Sequence, residues 1–424
     1  MSAPLRLLIV TDAFPPVSGG SGWSTYELAR GLHARGHHVD VVKVDASTRS
    51  GIYETSYDGL RVTEFCRPAT TIPFVRNVQK NERLWSQLEH FLRTLLREGQ
   101  YDLIHGQHAM STVPTIRAGE AMGVPSVATV RDYWPVCYWS DLIYDPSGRD
   151  LCPACTAGMM TRCVRPRAGA ATPAAWTLIP YMRANLSTKR RTLARAGAVI
   201  APSSVIARDL EERAPELAQT PIYTIPHPVD MTRVDDIHAH AARPLDHSYV
   251  VYAGKLAPNK GVQYLMQAYR DAGIDWPLVI VGDGPQRAAL EAEARALGID
   301  ARFMGWCSRD ETLGWIRHAA FVAFPSYGPE SLSRVLIEAS ALGTPAAAMN
   351  TGGTRDIIHA GITGLLSDSP AAFSQDLARL FHDERLRHAL GAQARIEARA
   401  RFSTPSVVER VEQVYRRLLL PSAA

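Results

Sequence analysis

The 424-residue sequence contains no apolar run able to cross a bilayer. Runs such as Val279–Val281 and Phe321–Phe324 fall far short of the roughly 18 residues a span requires. The first ten residues carry one charge and lead straight into a strand-like stretch, Leu5–Val10. They lack the charged, apolar and cleavage regions of a signal peptide, so a cytoplasmic location is expected. Acidic residues are missing from Leu151 to Arg208, where nine Arg or Lys occur. Lysine is scarce throughout, with five against 41 arginines, and two of the five are Lys255 and Lys260. Residues 1–200 hold 23 basic and 16 acidic side chains, against 23 and 26 in the remainder, so positive potential gathers in the first half and an anionic partner is expected. No fixed repeat and no low-complexity tract occurs. What is present, 46% hydrophobic and 21% charged residues, suits a packed protein of two or three domains.

Short β-branched runs alternate with helical patterns. Leu5–Val10, Val39–Val44, Leu103–His105, Ser126–Val130, Ala198–Ala201 and Ile222–Ile225 read as strands, with helices over 24–35 and 82–97 between them. Helices between strands imply a mostly parallel, doubly wound sheet. Pro226–Ser248 is rich in Pro, His and Asp and weakly periodic, as a connection between domains would be. A second series follows, with strands at Tyr249–Ala253, Leu278–Val281, Arg302–Met304, Phe321–Phe324 and Ala346–Met349 and helices near 261–271, 286–297, 309–318 and 334–342. Apolar positions from Thr404 to Leu420 predict a closing amphipathic helix. The predicted domains are 1–235, 236–402 and a terminal helix over 403–424.

The most informative stretch is Phe324–Gly343, where a strand ends, a Pro/Gly turn follows and a helix starts near Leu332. The unpaired N–H groups of that start, with the positive end of the helix dipole, form a site for phosphate oxygens. Glu330 precedes the helix and Glu338 lies in its second turn, two acceptors suited to sugar hydroxyls. Taken alone, Glu330 is equally well a dipole partner and Glu338 a solvated helix residue. Lys255 and Lys260 lie in the loop after the second domain's first strand, and Gly282-Asp-Gly-Pro285 follows the next. Open α/β sheets bind ligands at this carboxyl edge, and a diphosphate would satisfy all of these groups. After the first domain's first strand, Pro15–Gly22 supplies glycines that allow close backbone approach. It departs from the G-x-G-x-x-G dinucleotide pattern and lacks a Walker lysine.

Taken together, Gly19-Gly20 with its helix, Asp102-Leu-Ile-His105, Pro202-Ser203-Ser204, Gly254-Lys-Leu with Lys260-Gly261, Val281-Gly-Asp-Gly-Pro285, Glu330-x7-Glu338 and Gly352-Gly353 give the chain a resemblance, over nearly its full length, to the retaining glycosyltransferases of family 4. The resemblance implies the GT-B architecture: two facing Rossmann-like, doubly wound α/β domains and a C-terminal helix returning to the first. It implies metal-independent transfer from a nucleotide-diphosphate sugar to a glycan or lipid-linked acceptor, as in cell-surface polysaccharide or glycolipid synthesis. Lys255 and Lys260 would neutralise the donor diphosphate, Glu338 bind the ribose, and Glu330 contact the transferred sugar. Amides near Leu332 and Ser333 would hold the distal phosphate, with Gly19, Gly20 and Gly282 close to the donor. Lys255, Lys260 and Glu330 are the expected catalytic groups, and Trp23, His108 and Arg131 the acceptor or sugar side. No cofactor is required for this step and no nucleic acid is implied.

Departures from the family pattern are informative. Lys255 stands where the family usually has Arg, which keeps the charge but not the bidentate fork. Leu332-Ser333 replaces a common Phe-Gly pair. Arg131-Asp132 replaces a frequent His-Asp pair, and Arg131 cannot shuttle a proton at neutral pH. A nucleotide-sugar epimerase or phosphorylase-type enzyme would need an acid/base pair or pyridoxal lysine that is not identifiable. A non-catalytic nucleotide-sugar-binding subunit is opposed by the intact Glu330, Glu338, Lys255 and Lys260.

Cys137, Cys152, Cys155 and Cys163 cluster in the sequence, and a C-x2-C knuckle with two further thiols suits a structural zinc, with free thiols, disulfides and an iron–sulfur centre as alternatives. Between Thr172 and Arg195, Trp176, Leu178, Ile179, Tyr181, Met182 and Leu186 mix with Arg183, Lys189, Arg190 and Arg191. The mixture fits either a peripheral contact with an anionic membrane, at the inner face of the cell membrane, or a core-facing helix with a basic solvent face.

Overall fold

The computed structural model describes residues 3–16, 18–46, 49–72, 75–145 and 150–420. The chain divides into two compact units, one of residues 1–140, 177–228 and 404–424, the other of 141–176 and 229–403. Among the described residues no helix is long and apolar enough to cross a membrane.

The first unit is built on an eight-stranded sheet. Its strands are β1 (Arg6–Thr11), β2 (His38–Asp45), β3 (Gly51–Tyr57), β4 (Leu60–Cys66), β5 (Leu103–Gly106), β6 (Ser126–Thr129), β7 (Ala198–Ala201) and β8 (Ile222–Thr224). They lie in the order β3-β4-β2-β1-β5-β6-β7-β8. All neighbours are parallel except the β3–β4 hairpin. The central strands are almost continuously apolar because helices cover both faces. The sequence reading missed the hairpin. Its Asp58-Gly59 turn has both residues at positive φ, 50° and 77°, the two-residue turn that matches strand twist. Exposed β3 lacks an alternating burial pattern that would have marked it.

The Thr404–Leu419 helix is part of this unit. Val407, Val408, Val411, Val414 and Tyr415 are buried in the cluster that holds Leu28 and Leu32 of the Gly20–Ala34 helix. The two helices approach closely at Gly31, where a β-carbon would lie 2.6 Å from Val408. Tyr415 OH lies 2.6 Å from His105 Nδ1, and Glu412 pairs with Arg35 at 2.6 Å. The terminal helix is therefore fixed by packing and by polar contacts.

The second unit carries a six-stranded, wholly parallel sheet of β9 (Val250–Ala253), β10 (Leu278–Val281), β11 (Ala301–Gly305), β12 (Phe321–Phe324), β13 (Ala346–Met349) and β14 (Leu365–Ser367). The order is β11-β10-β9-β12-β13-β14, so the chain reverses direction across the sheet between β10 and β12, on either side of β9. β9, β10 and β12 are fully buried under apolar layers on both faces. Carboxyl ends beside such a reversal form a crevice suited to ligands.

Candidate active site

Four loops meet the carboxyl edge of the second sheet. They follow β9 (254–261), β10 (282–285), β12 (325–333) and β13 (350–353). Backbone bonds lace them together: the Gly328 N–H donates to the Asn259 carbonyl at 3.0 Å, and the Gly353 N–H to the Glu330 carbonyl at 2.7 Å. Two glycines permit this approach. At Gly352, with φ +51°, a β-carbon would lie 2.0 Å from the Glu330 carbonyl oxygen, and at Gly261, with φ +71°, 2.2 Å from the Pro325 oxygen.

Within this frame Lys260 Nζ donates to Glu330 Oε1 at 2.5 Å. The hydroxyl of Ser326, itself buried, lies 2.6 Å from the same oxygen. An ammonium has three donors, so Lys260 keeps capacity for a second anion while Glu330 holds it in place. Lys255, on the same loop, is exposed. The helix expected near Leu332 runs Arg334–Leu342, with Ser333 as its N-cap and the Ser333 Oγ accepting from Leu336 N–H at 3.4 Å. The helix start, whose first N–H groups point out of the helix, therefore falls at Ser333 to Val335 and overlaps the expected Leu332–Ser333 pair. Leu332 is buried in the core and Ser333 serves as cap.

Glu338 is buried, not solvated. Its Oε1 accepts from Arg334 Nε at 2.8 Å and from Arg309 at 3.3 Å. The Arg334 contact is an i,i+4 pair that helical spacing would have revealed; Arg309 comes from another helix and left no sequence signal. Gly282, with φ +138°, sits where a β-carbon would lie 2.0 Å from the Gly254 oxygen, so only glycine lets these two loops touch.

The first unit has its own polar edge. Gly19 is the N-cap of the Gly20–Ala34 helix and supplies no side chain, leaving the exposed Gly19-Gly20 backbone open; Val17 of the same run lies outside the described residues. Trp23 is partly buried and meets Tyr26 edge-on at 5.7 Å. His108 is the N-cap of the Ala109–Met122 helix, with Nδ1 3.0 Å from Thr11 Oγ1. Burial, then the nearby Arg131, holds its imidazole well below the usual histidine range, so it is neutral. Arg131 is buried and spans His227 at 2.8 Å and Gln107 at 2.5 Å. His105, also buried, is pushed down to about 3 by burial and by Arg131.

Sequence reading gave no role to two carboxylates here. Asp12 follows β1 and accepts from the Met110 and Ser111 N–H groups at 2.9 and 3.0 Å, at the start of the Ala109–Met122 helix. Asp132 follows β6 and accepts from the Trp134 N–H at 2.8 Å. Burial pushes each up to about 6, against those amide bonds. Their position just past strand ends was the available signal.

The cysteine and basic segments each carried alternative readings. Among the described residues no three His, Cys, Asp or Glu side chains gather in a metal-holding arrangement. Cys137 belongs to the first unit, and Cys152, Cys155 and Cys163 to the second. The Cys152 and Cys163 thiols lie 3.3 and 3.4 Å from the Ala154 and Met160 carbonyls. In the Ile179–Leu193 helix, Ile179, Met182 and Leu186 are buried, and so is Lys189. The apolar stripe therefore serves the first unit's core, and Trp176 alone of the apolar group is strongly exposed, at 45%.

The family model "Glycosyltransferase Family 4" matches residues 18–233 and "Glycosyl transferases group 1" matches 234–397. Similar along most of their length are the D-inositol 3-phosphate glycosyltransferases of Xylanimonas cellulosilytica, 26% identical over 94% of this chain and 91% of that protein, and of a Nocardioides strain, 26% identical over 94% and 85%. Among solved structures, sucrose-phosphate synthase from Thermosynechococcus elongatus superposes with a TM-score of 0.69 at 21% identity, covering 98% of this chain and 99% of that one. Anabaena HepE in complex with UDP-glucose gives 0.65 at 18%, covering 97% and 100%. These likenesses show the GT-B fold.

Proposed function

Because the chain belongs to glycosyltransferase family 4 and so is a sugar-transferring enzyme, we propose that it moves a sugar from a nucleotide-diphosphate donor to a glycan or lipid-linked acceptor with retention at the anomeric carbon. The observation that carries this reading is the Lys260–Glu330 pair, held at 2.5 Å beside the start of the Arg334–Leu342 helix. In the proposed reaction the anomeric C–O bond breaks with its electron pair leaving on the nucleoside diphosphate, the acceptor hydroxyl oxygen bonds to the anomeric carbon from the same face, and the hydroxyl proton passes to the departing phosphate. Charge develops on the distal phosphate, where Lys260, Lys255 and the N–H groups at the start of the Arg334–Leu342 helix, beside Leu332 and Ser333, stabilise it. Glu330 orients Lys260 and contacts the sugar as it gains oxocarbenium character. Glu338, fixed by two arginines, accepts from the ribose hydroxyls.

Thermal-shift screening against UDP-, GDP- and ADP-sugars tests the donor, since a ligand selective for the folded chain raises its midpoint by mass action. NMR of the product then reads the anomer. One donor class stabilising the protein and a product of unchanged configuration are expected; no donor binding, or inversion, overturns the reading. A phosphorylated polyol acceptor is a second reading. The names of the full-length relatives suggest it, as does Arg131, which follows β6 of the first sheet. Offering inositol phosphates beside glycan and lipid-linked acceptors separates the two.

A further inference from the structure

A cavity of about 710 Å³ opens at the other, amino-terminal edge of the second sheet. Ala320, which leads into β12, and Pro345, which leads into β13, line it. So do Gly343, just past the Arg334–Leu342 helix, and Gly391 of the Glu384–Phe402 helix. These two helices touch there: a β-carbon at Gly391 would lie 2.2 Å from the Gly343 oxygen. The Arg334–Leu342 helix has nine residues, so it separates the cavity from the donor edge by about 14 Å.

The cavity is strongly basic. Arg317, Arg387, Arg395 and Arg399 line it, and Glu384 is the one acidic residue among the described lining residues. Asp235 behind it is shared, accepting from both Arg395 and Arg399. Arg317 has no carboxylate partner among the described residues; its Nε donates to the His238 carbonyl at 3.4 Å. Arg387 donates to the Leu380 and Phe381 carbonyls at 2.6 and 3.0 Å and lies over the Trp276 ring. The His238 Nε2 lies 2.7 Å from Arg395, which a neutral imidazole accepts, leaving Nδ1 to donate to the Leu342 carbonyl at 3.3 Å. Burial, then the positive charges of Arg317 and Arg395, holds His238 below its usual range. Burial and Arg395 likewise hold Arg317 below the guanidinium range. Four guanidinium groups face one lining carboxylate, Glu384, with Asp235 and Asp383 acting on them from outside the lining, in a concave space of small-ligand size. Planar guanidinium forks bind phosphate oxygens bidentately.

We propose that this cavity is a second anion site, separate from the donor edge, for a soluble small molecule carrying two or more phosphate charges. Its test does not depend on the donor reading. Inorganic pyrophosphate is titrated calorimetrically at low salt into the Lys255→Ala/Lys260→Ala chain, in which the donor-edge lysines are gone. One equivalent binds, and adding Arg317→Ala with Arg395→Ala weakens it at least tenfold. Arg395 also holds Asp235 and His238, so Arg317→Gln is measured alone as well. It removes a guanidinium with no carboxylate partner, and weakens binding about fivefold with an unchanged unfolding midpoint. Absence of pyrophosphate binding in the lysine-free chain, or unchanged affinity after Arg317→Gln, overturns the proposal.

Discussion

Lys260 Nζ stands 2.5 Å from Glu330 Oε1, although the two residues belong to loops that follow different strands of the sheet. The pair pre-positions an ammonium beside a helix start before any ligand arrives. Orientation of this kind is where an enzyme of largely electrostatic mechanism gains rate. Ser326 supports the carboxylate, and Gly352 lets the β13 loop press against its backbone.

Gly352→Ala tests that support. The new β-carbon would overlap the Glu330 carbonyl, at a residue with φ +51°, so Glu330 must move. A stability loss of roughly 2 kcal/mol and a fall in kcat of about tenfold or more are expected, read by denaturant unfolding and by transfer assay. Wild-type values for both would show that this contact does not position Glu330.

Glu338→Ala leaves Arg334 and Arg309 facing one another around an empty position. Removing one partner of a buried ion network costs about 3 kcal/mol, and the unfolding midpoint should drop by several degrees. Glu338→Gln keeps the shape and one acceptor, and should recover part of that stability while weakening donor binding. Equal stability of the Ala variant and the native protein would mean the arginines find other partners.

Asp12 and Asp132 set a pH dependence. In the folded chain each holds its proton up to about pH 6, whereas an ordinary aspartate releases it near 3.8. The folded state therefore binds more protons than the unfolded state across that window, so stability falls as pH rises from about 4 to about 6. Both side chains are only partly covered, so water moderates the effect to the order of 1–2 kcal/mol for each. Asp132→Asn keeps an acceptor for the Trp134 N–H and should flatten the slope of unfolding free energy against pH between 4 and 6. An unaltered slope would assign the dependence elsewhere.

Much of the second unit was legible because its signals are local. Helices at 309–318 and 334–342 match the structure in both bounds, and the β9 and β12 loops were placed at the correct edge. Glu330 and Lys260 were visible as residues, but their pairing across 70 positions of sequence was not. Glu338 read equally well as solvated because the arginine that completes its burial, Arg309, comes from a separate helix. In the first unit His108 and Arg131 read as residues of the acceptor or sugar side. Their hydrogen bonds to Thr11, Gln107 and His227 depend on which strands are neighbours, and local periodicity does not carry that. The 179–193 helix shows the same limit: its composition fitted an interface or a core-facing helix equally, and the burial of its apolar stripe favours the second.

The most direct measurement is turnover of the Lys260→Ala enzyme with its matched donor and acceptor, alongside its unfolding midpoint. Lys260 is partly exposed and its loop is held by backbone bonds, so the fold should persist while turnover falls roughly 10²-fold or more. Transfer at the native rate by a folded Lys260→Ala chain would contradict the claim that this ammonium carries the leaving group's charge.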